Sequence, residues 1–176
     1  MGTAKDQHVE LSHPRLGPIK GVVSIVGVHQ FRSLPYATIP HRFADPIVAE
    51  SLGTEGTFDA TEFGPVAPQP EDAEYQEFVT EKEHIPHKPL LQDELKCCNL
   101  KCCNLNVSIP TGERKDGGKG IPVMVWFHGG SFMLGAASWP QYGISVSMTK
   151  LNLRFCQICQ IVRQERTTGD RGRSPV

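Results

Sequence analysis

The sequence predicts an α/β fold: a small antiparallel sheet at the N-terminus, followed by strands patterned for a larger, covered sheet. The first observation is a pair of β-rich stretches, Val9–Leu11 and Ile19–Phe31, separated by Pro14 and Gly17-Pro18. The second is Asn104–Ile109, where Leu105, Val107 and Ile109 alternate with polar neighbours at the strand period. The third is Val123–Phe127, VMVWF, which is continuously apolar, the pattern of a strand buried on both faces.

Between these stretches the chain reads as follows. Ile19–Phe31 is taken as one strand, punctuated by Gly21 and Gly27. Pro35, Pro40, Pro46, Pro65, Pro68 and Pro70 then forbid long helices and predict extended surface chain over 32–70. Pro70–Glu83 fits one short helix: Tyr75, Phe78, Val79 and Lys82 share a face, and acidic residues favour its N-terminus. His84-Ile85-Pro86-His87 is a loop. The unit Leu-Lys-Cys-Cys-Asn then occurs twice in tandem, Leu95–Asn99 and Leu100–Asn104, which reads as a local duplication. A polar, Gly-rich turn over 111–120 separates Asn104–Ile109 from Val123–Phe127, and the two strands are expected to run antiparallel.

Composition closes off several function classes. The longest strongly apolar run, Ile121–Phe127, is far shorter than the roughly 20 residues of a membrane span. The start lacks an apolar signal region, and Asp6 stands where a myristoylation signal needs Ser or Thr. A cytoplasmic protein is the expectation. The net charge of −1 offers no global attraction to nucleic acid. That charge is unevenly spread, with a net of −5 over residues 1–143 and +4 over 144–176. The expected organisation is therefore a folded portion, 1–143, and a divergent, basic, disordered tail, 144–176. The six cysteines cluster at 97, 98, 102, 103, 156 and 159 and lack the scatter of a disulfide framework. Four thiols with His84 and His87 could hold zinc, but adjacent Cys-Cys pairs suit one tetrahedral ion poorly. No metal site and no cofactor are expected.

VMVWF runs directly into His128-Gly129-Gly130-Ser131-Phe132. Glycines at a strand end let backbone N–H groups approach a ligand and adopt unusual φ/ψ. Such donors can stabilise a developing oxyanion by about 3–4 kcal/mol each. A plain tight turn is the bland alternative.

At this point the sequence resembles the type-B carboxylesterases and lipases, which have the α/β-hydrolase fold. Phe31–Pro46 (FRSLPYATIPHRFADP) is similar to the family's F-x-G-I-P-Y-A…P-x-R-F-x-x-P, with Ser33 in place of its Gly. Phe58–Pro70 (FDATEFGPVAPQP) is similar to its F-G-P-x-C-P-Q segment, and Cys102–Pro110 to its E-D-C-L-x-L-N-V strand. Val123–Tyr142 is similar to its oxyanion-loop segment. The resemblance spans about residues 9–142. It implies the N-terminal, incomplete part of an α/β-hydrolase: the small antiparallel sheet plus the first strands of the central sheet. It also implies that Gly130 and Ser131 supply oxyanion N–H groups, with Gly129 shaping the loop; His128, which precedes the loop, is read as orienting it or packing, not as a base. The family has Gly at the Ser131 position. Its early disulfide would join positions 67 and 102, and Ala67 removes it.

The family's chemistry also needs a Ser nucleophile in a G-x-S-x-G elbow, then an acid and a His. The 176 residues contain no G-x-S-x-G; Gly143-Ile144-Ser145-Val146-Ser147 lacks the last Gly. No triad residue is present. The leading expectation is an inactive fragment of a carboxylic ester hydrolase, whose parent acts on a small-molecule ester by an acyl-enzyme route. The alternatives are a non-catalytic cholinesterase-like binding module and a Cys-cluster metal protein.

Overall fold

The computed structural model describes residues 7–25, 27–41, 43–70, 101–111, 123–131, 133–139 and 154–158. The chain opens as an antiparallel meander: β1 (His8–His13), β2 (Gly17–Ile25) and β3 (Val28–Pro35). β1 and β2 pair from His8↔Val22 to His13↔Gly17. Their turn closes on the imidazole of His13, whose Nδ1 accepts from the N–H groups of Arg15 (3.3 Å) and Leu16 (3.2 Å). The chain expected as a single strand over 19–31 is two strands. It reverses at Gly27, whose φ of +87° lies where glycine is free of steric cost. Hydrophobic patterning is continuous across the reversal, so the pattern alone did not reveal it.

β2 carries the first core cluster. Ile19, Phe31, Leu52 and Ala60 are buried together, with Leu34 and Phe58 packed against them. Gly21 is required here: a Cβ at this position would lie 2.5 Å from the Gln30 carbonyl and 2.7 Å from the Phe31 ring. Burying side chains of the size of Phe31 and Ile19 stabilises by roughly 1.5–3 kcal/mol each. The Pro-rich stretch is extended, as expected. Its first residues end β3, and beyond Pro35 it contributes the two-residue strands β4 (Ala37–Thr38), β5 (Ile47–Val48) and β6 (Phe58–Asp59), the last parallel to β2.

β7 (Asn104–Pro110) joins the sheet beside β3, antiparallel, from Val28↔Pro110 to Pro35↔Asn104. β8 (Val123–Phe127) and β9 (Arg154–Ile158) complete it in the order β1-β2-β3-β7-β9-β8. β7 and β8 do run in opposite directions, but they are not neighbours. β9 lies between them, antiparallel to β7 and parallel to β8. Those five residues come from the stretch expected to be a disordered tail.

Two burial expectations are corrected. All five residues of β8 are exposed, from Met124 at 37% to Phe127 at 61%. β8 ends the strand order, so among the described residues only β9 pairs with it. In β7 the polar side chains face inward: Asn104, Asn106 and Ser108 are buried, while Leu105, Val107 and Ile109 are half-buried. The expected helix over 70–83, the His84/His87 loop, Cys97, Cys98 and Cys159 lie outside the described residues beyond Pro70. No helix among the described residues is long and apolar enough to cross a membrane.

Candidate functional site

β8 ends at Phe127, and the backbone turns sharply at once. Gly130 has φ +119° and Ser131 has φ +54°. The turn closes on the Gly130 carbonyl, which accepts from the N–H groups of Met133 (2.9 Å) and Leu134 (3.1 Å). A Cβ on Gly130 would collide with the Leu134 carbonyl, so this position requires glycine. Gly129 and Ser131 are exposed and Gly130 is half-buried. The turn thus presents backbone at the surface, at the C-terminal end of a strand that has a parallel neighbour.

His128 is buried, and its Nδ1–H donates to the Gly129 carbonyl at 2.8 Å. Its ring also lies against Gly135, whose φ is +130° and where any Cβ would collide with that ring. The imidazole is therefore wedged between the two ends of the turn.

Two amide side chains hold the segment after the turn. Gln69 pairs with Gly135 in both directions: the Gly135 N–H donates to Oε1 at 3.0 Å, and Nε2 donates to the Gly135 carbonyl at 3.2 Å. Asn106 donates from Nδ2 to the Ala137 carbonyl at 3.2 Å and accepts from the Ser33 N–H on Oδ1 at 3.1 Å. Asn104 Nδ2 donates to the carbonyls of Pro65 (2.8 Å) and Lys101 (3.1 Å). These bonds explain the inverted burial of β7. A buried amide is tolerated when its donors and acceptor are used. Ala136, between the two clamped residues, and Trp139, beyond them, are buried with Val66, and Leu134 packs on them.

The sequence-predicted residues 128–131 therefore lie in one turn. Gln69, Asn104 and Asn106 were missed as contributors. They stood inside the quoted motifs, but nothing in their spacing says that Gln69 reaches Gly135, Asn106 reaches Ala137, or Asn104 reaches Pro65. Ala67 and Cys102 lie in one buried cluster with Cys103, Ala37 and Ile39. Cys102 and Cys103 are buried thiols in apolar surroundings. Among the described residues no three His, Cys, Asp or Glu side chains group as metal ligands.

Comparison with known proteins bears on the family and the fold. The family model described as "Carboxylesterase family" matches residues 5–153, which carries it past the charge boundary at 143. The para-nitrobenzyl esterase of Bacillus subtilis (strain 168) is 35% identical over 129 residues, 72% of this chain and 22% of its own length. Carboxylesterase 4A of Bos taurus is 33% identical over 134 residues, 73% of this chain and 22% of its own length. A solved PNB esterase superposes with a TM-score of 0.61 at 30% identity, covering 86% of this chain and 27% of that one. The chain thus spans about a quarter of the length of these relatives. Its sheet is the opening part of an α/β-hydrolase fold, and the chain belongs to the carboxylesterase family.

Proposed function

We propose that this chain carries the oxyanion-binding portion of a carboxylic ester hydrolase. Gly130 and Ser131 supply the backbone donors, Gly129 leaves room for the substrate, and His128 orients the turn from beneath. The observation that carries this reading is the conformation at Gly130 and Ser131, two successive positive φ values at an exposed strand end. Successive N–H groups in such a turn form a concavity for a negative oxygen. In the acyl-enzyme mechanism that oxygen is the former ester carbonyl, charged once a serine has attacked it. The substrate class is a small-molecule carboxylic ester, in keeping with the esterase names of the relatives.

The chain itself is proposed not to turn over esters. A nucleophilic serine works only as a unit with its base, and no G-x-S-x-G elbow occurs in the 176 residues. No metal or cofactor is assigned. The purified 176-residue chain should leave p-nitrophenyl butyrate unhydrolysed above buffer. Hydrolysis that a serine-directed phosphonate abolishes would refute inactivity.

A further inference from the structure

The proposed function does not use the FDATEFGPVAPQP segment, yet its Gln69 bonds both backbone polar groups of Gly135, just after the turn. We propose that Gln69 is the positioning residue of the oxyanion turn; this rests on the reading of residues 129–131 given above. Both backbone polar groups of Gly135 are engaged by the one side-chain amide, N–H to Oε1 and C=O to Nε2. Such pairing fixes the peptide planes on both sides of Gly135, as a strand neighbour would. The planar amide presents its donor and acceptor side by side for this; an ionised carboxylate lacks the donor, and a thioether lacks the donor and is a weak acceptor.

The backbone carrying the amide is stiff. Gln69 lies between Pro68 and Pro70, whose rings fix their own φ and restrict the residue before each. Nε2 also reaches the Ala67 carbonyl at 3.3 Å, which ties the side chain to its own segment. The clamp therefore transmits a fixed position to Gly135.

From Gly135 the constraint passes to the donors over a short path. The His128 ring rests on Gly135, where no Cβ could stand, and bonds the Gly129 carbonyl. The Gly130 carbonyl is tied to the N–H groups of Met133 and Leu134, immediately before Gly135. Residues 128 and 135 are thus the two feet of the turn. Gln69 holds one foot directly and the other through the imidazole. Rotation of the Gly135 peptide would tilt Gly130 and Ser131, whose N–H directions are the functional property.

The test uses the full chain with backbone amides followed by NMR, in wild type, Gln69→Met and Gln69→Glu. Butyrate serves as the probe of the donors, since its carboxylate presents an anionic oxygen. In wild type, butyrate should shift the Gly130 and Ser131 amides, and the amides of Gly135, Met133 and Leu134 should be protected from exchange. In Gln69→Met, protection at these three should fall at least tenfold and the butyrate shifts should vanish. The β3–β7 ladder amides, such as those near Phe31 and Val107, should be unchanged. Gln69→Glu keeps the acceptor for the Gly135 N–H and should fall between the two. Unchanged protection at 133–135 in Gln69→Met overturns the assignment. So does loss of protection across β3–β7 in both variants, which makes Gln69 a residue of general stability. If butyrate shifts nothing in wild type while the Met variant still frees Gly135, the clamp stands and the oxyanion reading fails.

Discussion

Ser33 offers a direct test of the backbone argument. It has φ +57°, a region in which a Cβ is unfavourable, and it stands where the family pattern has glycine. The left-handed conformation costs an L-residue roughly 1–2 kcal/mol. Replacing Ser33 by Gly removes that cost, and the greater freedom of glycine in the unfolded chain gives back about 0.5–1 kcal/mol. The key contact survives, because the bond to Asn106 is donated by the Ser33 backbone N–H and not by the hydroxyl. The hydroxyl lies over Gly64, where any added Cβ would collide with it, and its loss is common to the Ala variant, which controls for it. The expected net gain is about 0.5–1 kcal/mol. Urea unfolding with an unchanged slope should show it as a midpoint shift of roughly 0.2–0.5 M for a slope of about 2 kcal/mol/M. Ser33→Ala keeps the Cβ and should show no such gain. A glycine variant no more stable than wild type, or an alanine variant as stable as the glycine one, would refute the reasoning.

Asn106→Ala removes the acceptor for Ser33 N–H and the donor to the Ala137 carbonyl in a buried setting; unfolding by denaturant should show a loss of about 2–4 kcal/mol. Asp59 accepts from the hydroxyl and backbone N–H of Thr61, and these bonds, with a smaller contribution from Lys20, hold its carboxyl below the usual range. A lowered acid stabilises above its unfolded value, near pH 4, and loses that contribution as pH falls through the lower folded value. Asp59→Asn should therefore lower stability at neutral pH and narrow the gap to wild type in acid, as read from midpoints at pH 7 and pH 2.5. β8 presents five uncharged apolar residues at the end of the strand order, an edge with no strand partner but β9 among the described residues and of the kind that pairs with other chains. Val125→Lys should reduce concentration-dependent association measured by analytical ultracentrifugation, and an unchanged sedimentation profile would show that β8 plays no part.

Much of the architecture was legible in local sequence because it depends on local chemistry. The β1–β2 hairpin follows from alternating β-rich residues around Pro14 and Gly17, and β7 and β8 follow from their patterns. The Gly-rich turn was legible for the same reason, since Gly130 is the residue its φ demands. The reversal at Gly27 was not, because hydrophobic residues continue on both sides and one glycine serves equally as punctuation or turn. The burial of Asn104 and Asn106 was also missed. Patterning assigns amides to solvent unless partners are known, and those partners, Ser33, Pro65 and Ala137, are distant in the chain.

The exposure of β8 has a related cause. Its composition is that of a strand with both faces covered, but coverage is a property of neighbours and not of the strand. The insertion of β9 between β7 and β8 is likewise a matter of tertiary pairing. Nothing in RFCQI distinguishes a central strand from a stretch of basic tail. By itself, the sequence determined which segments extend and where the Pro- and Gly-marked turns at 14–17 and 129–131 fall, because sterics and β-preference act within a few residues. Only the tertiary structure decided strand order, the inward face of β7, and the convergence of Gln69 and His128 on Gly135. These depend on hydrogen bonds and contacts between residues tens of positions apart, which no local pattern encodes.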